Sequence, residues 1–168
     1  MSERAKAGID GATEVEAWDT LSRACGSSRW VDRMVARRPF GGRDALLKAA
    51  RDEWWALSPD DWLEAFSHHP RIGDRASLAA RFPATHHLSA REQAAVGDAP
   101  EDVLDALADA NQAYVDRFGF VFIVCATGKT ANEMLELLRA RLPNDRDTEL
   151  RLAAEEQARI TALRLDAP

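Results

Sequence analysis

The sequence predicts an all-α protein: a single-domain helical bundle with one extended apolar segment at about residues 118–126. Three observations predict it. Apolar residues recur at helical spacing through nearly every segment, and helix start signals stand in front of several of them. Only one run, from Phe118 to Ala126, is continuously apolar, β-branched and aromatic in the manner of a buried strand.

The elements follow in chain order. Residues 1–12 carry little apolar periodicity and are expected to be a flexible N-terminus. Glu14 to Ala24 sets Val15, Trp18, Leu21 and Ser22 at helical spacing, and Gly26-Ser27-Ser28 separates it from a second run, Arg29 to about Arg37. Pro39-Phe40-Gly41-Gly42 ends that run. Asp44 to Leu57 places Leu46, Leu47, Ala50, Trp54 and Leu57 on one stripe. Ser58-Pro59-Asp60-Asp61 then opens a helix to about Ser67: a capping serine, a proline where its missing N–H does no harm, and two acids at the positive end of the dipole. Proline disfavours helical geometry in the residue before it, so the His69-Pro70 step turns His69 out of this helix.

Short helical candidates follow around residues 75–81 and 89–96. A longer helix from Pro100 to about Arg117 carries Val103, Leu104, Leu107, Ala110 and Tyr114 on its stripe. Thr130 and Glu133 form a capping box for a helix ending at Leu142, and Asp147 to about Leu165 carries Leu150, Ala153, Ala154, Ile160 and Leu163 into a terminal helix. No sequence-level strand partner exists for residues 118–126. Its backbone groups must be satisfied by side chains or water, or in part by a polar ligand.

Composition narrows the function. A chain of 168 residues with 46% hydrophobic and 30% charged residues is expected to form one domain over 1–168. The net charge of −6 disfavours a nucleic-acid partner, since phosphate backbones attract clustered cations. No apolar run reaches the roughly 20 residues that span a bilayer, and the first residues lack a secretory apolar stretch, so no membrane association and a cytoplasmic location are expected. Cys25 and Cys125 lie far apart and read as buried thiols.

The four histidines all fall within His68-His69 and His86-His87, and Ser89-Ala90-Arg91-Glu92-Gln93 follows shortly after. Histidine titrates near neutrality, so this stretch is where proton chemistry or metal binding is expected. Metal ligation is disfavoured by the spacing, because neither His-x-x-x-His nor Glu-x-x-His is present. Gly128-Lys129-Thr130 is similar to the end of a phosphate loop, but Ile123 occupies the position of its first glycine. Ser89 and Glu92 match a capping box; alternatively Glu92 folds back beside an imidazole to make an acid/base unit.

Four motifs in order resemble one family. His69-Pro70-Arg71-Ile72-Gly73, Ser89-x-x-Glu92-Gln93, Phe118-Gly119-Phe120-x-Phe122-Ile123-Val124-Cys125-Ala126 and Ile160-Thr161-Ala162-Leu163-Arg164-Leu165 occur in this order in 2-oxo-4-hydroxy-4-carboxy-5-ureidoimidazoline (OHCU) decarboxylases of urate and purine catabolism. Val121 stands where many relatives have proline. The resemblance implies a cofactor-free, metal-free, homodimeric helical enzyme that converts the small molecule OHCU to (S)-allantoin and CO₂. By the same resemblance His69 is the catalytic histidine, Glu92 its carboxylate partner and Arg164 the substrate-binding arginine of the last helix. Pro70, Ser89, Gln93 and the backbone of Phe122, Ile123, Val124, Cys125 and Ala126 line the pocket in that reading. Two other function classes stand beside it: a histidine-based metal-dependent hydrolase, and a non-catalytic helical adaptor supported only by the five tryptophans.

Overall fold

Helix dominates because the sequence starts and stops helices cleanly. The computed structural model describes residues 4–69 and 101–167, and among these there are eight helices and no strand. They are α1 (Arg4–Gly11), α2 (Glu14–Ala24), α3 (Ser28–Ala36), α4 (Arg43–Trp55), α5 (Pro59–Ser67), α6 (Glu101–Phe118), α7 (Ala131–Arg141) and α8 (Arg146–Asp166). The helical candidates at 75–81 and 89–96, and with them His86 and His87, lie outside the described residues. The chain forms two compact units: residues 1–69 with 150–168, and residues 70–149.

The first unit is organised around α3, which packs on α2, α4 and α5. Trp30, Met34, Leu21 and Phe66 are fully buried there, each contributing roughly 1.5–3 kcal/mol through loss of apolar surface to water. Buried indoles need an acceptor, and both find a helix carbonyl: Trp30 Nε1 donates to Ala50 O at 3.0 Å and Trp54 Nε1 to Ala154 O at 3.0 Å. Trp62 donates to Trp54 O at 3.0 Å. Tryptophan thus serves the core here, and of the five only Trp18 is exposed.

The α2 stripe differs from expectation. Val15 is 79% and Trp18 43% exposed, while Ala17, Leu21 and Ala24 face inward. Leu21 of the expected stripe is buried, and Ala17 and Ala24, one turn to either side of it, complete the inward face. Residues 9–12 are held by the chain that follows α3. Arg38 donates to the carbonyls of Ile9 and Ala12 at 2.8 Å each, and Asp10 accepts from the N–H groups of Phe40 and Gly41 at 2.8 and 2.9 Å.

In the second unit α6 packs on α7. Gly119 ends α6 with φ +80°, a left-handed conformation suited to glycine, and its N–H reaches Val115 O at 2.8 Å. The residues after it are non-helical and turn their apolar side chains inward: Phe120, Phe122, Ile123 and Val124 are all buried. Tyr114 gathers Phe118, Phe120 and Phe122 at ring-centroid distances of 4.6, 5.9 and 5.2 Å. The expected capping box opens α7: Thr130 N donates to Glu133 Oε2 at 3.0 Å and Glu133 N to Thr130 Oγ1 at 3.2 Å.

Candidate active site

Helix α5 delivers His69 as its sequence signals predict. Pro59 is the first helical residue, Asp61 accepts from the Ser58 N–H and hydroxyl at 3.2 and 2.9 Å, and His68 caps the C-terminus. His69 follows in the closing turn, its N–H donating to Phe66 O at 3.1 Å. The turn is pressed against the end of α2. A Cβ on Gly26 would lie 2.7 Å from both Cβ and Cγ of His68, so only glycine accommodates the imidazole there.

The His69 ring meets α8 of the same unit. Its Nε2 is 2.5 Å from Oε1 of Gln157, a fully buried side chain, and Gln157 Nε2 donates to Thr161 Oγ1 at 3.1 Å. Thr161 lies beside Cys25, whose thiol is fully buried. Burial is the main reason that this thiol is pushed up to about 11, so it is a neutral S–H near neutral pH. Three turns of α8, through Gln157, Thr161 and Arg164, therefore share one face, the i, i+4, i+7 spacing of a helix. Arg164 is an exposed residue whose guanidinium donates to Ala24 O at 3.3 Å, reaching the same end of α2 that holds Cys25 and Gly26.

Sequence reasoning named His69 and Arg164 but missed Gln157 and Thr161. Of the stripe expected on the last helix, Leu150, Ala153 and Ala154 are buried, but Leu163 is 49% exposed, and Glu149, Gln157 and Thr161 are buried on that helix as well. The signal was available: two uncharged polar residues continue the Leu150–Ala154 stripe toward the C-terminus. Of the other site residues read from sequence, Pro70, Ser89, Glu92 and Gln93 lie outside the described residues.

The segment 122–126 belongs to the second unit and is held by side chains. Arg141 donates to Ile123 O at 2.8 Å, Lys129 Nζ to Cys125 O at 2.8 Å, and Lys129 N to Ala126 O at 3.1 Å. Arg141 also pairs with Glu149, a fully buried carboxylate that accepts from Tyr114 Oη at 2.7 Å and Asn144 Nδ2 at 3.1 Å. Its guanidinium lies over the Phe122 ring, 4.7 Å from the centroid. Three carbonyls of the segment, those of Ile123, Cys125 and Ala126, are thus satisfied within the protein. Phe122, Ile123 and Val124 are buried, and Cys125 and Ala126 partly so.

Among the described residues no group of three or more His, Cys, Asp or Glu side chains is arranged to hold a metal ion. No helix among them is long and apolar enough to cross a membrane.

A helical protein that presents a histidine at a helix exit, bound through an uncharged side chain of its last helix, has the equipment of an acid/base enzyme. The family model for OHCU decarboxylase matches residues 10–166, and the chain belongs to that family. It is 38% identical over 148 residues to a uric acid degradation bifunctional protein, TTL, of Arabidopsis thaliana, covering 88% of this chain and 45% of that protein. An OHCU decarboxylase of Halalkalicoccus jeotgali is 27% identical over 151 residues, covering 88% of this chain and 82% of that one. A crystal structure of OHCU decarboxylase in the presence of (S)-allantoin is similar with a TM-score of 0.69 and 38% identity, covering 88% of this chain and 94% of that chain. The chain spans less than half the length of the bifunctional relatives it matches.

Proposed function

We propose that this chain decarboxylates 2-oxo-4-hydroxy-4-carboxy-5-ureidoimidazoline to (S)-allantoin and CO₂ in urate degradation, with His69 as its catalytic histidine. The observation that carries the reading is the placement of His69: the helix exit set by its following proline fixes the backbone, and Gln157 fixes the ring, in a chain whose family and relatives bear that activity's name.

The chemistry suits a site without a metal or organic cofactor. When the bond from the hydroxyl-bearing carbon to CO₂ breaks, its electron pair enters the ring and the adjacent C=N takes up the displaced pair on nitrogen. The substrate carries its own electron sink. What remains is proton transfer: the hydroxyl loses a proton to become the carbonyl, the neighbouring carbon gains one on a single face, and the ring nitrogen that took up the pair gains another, with one proton drawn from solvent overall. An imidazole is suited to giving and taking protons near neutral pH. Glu92 is proposed as its carboxylate partner and Arg164 as a planar cationic fork for the substrate's oxygens, a geometry that lysine lacks. Pro70, Ser89, Gln93 and the backbone of Phe122 to Ala126 complete the proposed pocket.

The same reading takes residues 1–168 as one functional domain, supported by a family match that runs through both compact units. It takes the working form to be a cytoplasmic homodimer. Sedimentation equilibrium at twice the chain mass supports the dimer, and a monomer at assay concentration removes it.

The activity test generates OHCU in situ from urate with the preceding enzymes and follows optical activity. Rapid appearance of (S)-allantoin in step with this protein is the expected result, undiminished by EDTA. Racemic allantoin at the uncatalysed rate refutes the proposal. Activity lost with a stoichiometric metal favours the hydrolase alternative.

A further inference from the structure

We propose that Gln157 is the positioning residue of His69: its amide oxygen binds Nε2–H, fixing the neutral imidazole as the Nε2–H tautomer and leaving Nδ1 as its basic nitrogen. The proposal rests on the reading of His69 as the catalytic histidine.

A carboxamide oxygen can only accept, so an imidazole nitrogen hydrogen-bonded to it must carry a proton. The amide could present oxygen or nitrogen to His69, and its other neighbour decides which. Thr161 Oγ1 accepts from Gln157 Nε2 at 3.1 Å, which turns the amide oxygen toward His69, where it lies 2.5 Å from Nε2.

Burial makes the arrangement rigid. Gln157 is fully buried and Thr161 is 5% exposed, so the amide does not trade these two partners for bulk solvent. Gln157 and Thr161 stand one turn apart on α8, so helix geometry keeps the amide and hydroxyl in register. Both are neutral, unlike a buried acid or base. The network fixes where the ring's first proton sits without fixing the charge of the ring, so His69 remains able to gain and lose the second proton during turnover.

The test is ring-nitrogen NMR on full-length protein carrying ¹⁵N-histidine, with the His69 signals assigned by their loss in His69→Ala. The neutral His69 ring is expected as the Nε2–H tautomer in the wild type and in Gln157→Glu, which keeps an acceptor oxygen. In Gln157→Met, similar in shape but without that acceptor, the tautomer preference is expected to weaken. In the coupled assay kcat of Gln157→Met should fall by roughly ten- to a hundredfold with KM little changed, as for other partners that orient a working imidazole. An Nδ1–H tautomer in the wild type, or an unchanged tautomer and kcat in Gln157→Met, overturns the proposal. Full activity in His69→Ala would instead remove the catalytic histidine itself, and the NMR result separates that failure from this one.

Discussion

The two units hold their functional candidates by opposite electrostatic means. In the first, His69 is fixed through a neutral amide and hydroxyl, Gln157 and Thr161. In the second, the segment after α6 is fixed by a buried ion pair, with Arg141 bridging Glu149 and the Ile123 carbonyl while Tyr114 donates to the same carboxylate. The difference follows from what each must hold. A carbonyl in a packed segment has one state, so permanent charges can hold it, provided they are paired against the cost of leaving water. An imidazole that exchanges protons has two states, and an uncharged amide oxygen fixes which nitrogen carries the first proton without adding a charge of its own.

The comparison is broken most severely at Glu149. Removing it leaves the Arg141 guanidinium, with a side chain 12% exposed, without its anion and the Tyr114 hydroxyl without its acceptor. Glu149→Ala should cost on the order of 3–5 kcal/mol in urea unfolding. Tyr114 is the protein's single tyrosine, so its ionisation can be read alone by ultraviolet absorbance. Burial, aided by the hydrogen bond to Glu149, holds this phenol above the ordinary value of 10.0; Glu149→Ala should bring its titration down. A variant of unchanged stability would show that the pair is replaceable by water.

Gly26 gives a smaller effect on stability. An alanine Cβ would fall 2.7 Å from the His68 side chain, so the turn that carries His69 must move. Gly26→Ala should destabilise by about 1–3 kcal/mol and also reduce kcat, because the ring would be displaced from Gln157. Stability lost without any change in kcat would mean that the His68 turn and the His69 ring are not mechanically linked.

The smallest effect is expected at Cys25, and it depends on pH. Below pH 9.0, the ordinary thiol value, folded and unfolded chains both carry the proton and the stabilisation is complete. Above it the unfolded chain releases the proton while the folded protein keeps it until about 11, so stability falls as pH rises through that interval. Cys25→Ala should flatten this alkaline slope while leaving the Gln157–His69 contact in place. Urea denaturation from pH 8 to 11 measures it, and an equal slope in both proteins would contradict a buried neutral thiol.

Much of the helical pattern was legible because its signals are local. Pro59 with Ser58, Thr130 with Glu133, and the proline after His69 each act within one turn, and α5, α7 and the position of His69 follow. Which face of a helix turns inward was less legible. At α2, the expected stripe through Val15, Trp18 and Leu21 held only at Leu21, with Ala17 and Ala24 as its buried neighbours. At α8, Leu163 drew attention by hydrophobicity while Gln157 and Thr161 occupied the buried face. A polar residue on a helix reads as solvent-facing until its partner is known, and the partners of Gln157 are 88 residues away at His69 and one turn away at Thr161. The Arg141–Glu149 pair was invisible for the same reason: nothing in a sequence distinguishes an arginine that will be buried against a carboxylate from one on the surface.

The central claim is that His69 carries out proton transfer in forming (S)-allantoin, and one comparison tests it most directly. Purified wild type and His69→Ala, shown by circular dichroism and melting temperature to be equally folded, are given OHCU made in situ, and the optical activity of allantoin is followed. The wild type is expected to deliver the (S) enantiomer, while His69→Ala should be slowed by about 10²–10⁴ and give product with little optical activity. An (S)-selective His69→Ala working at the wild-type rate would contradict the account.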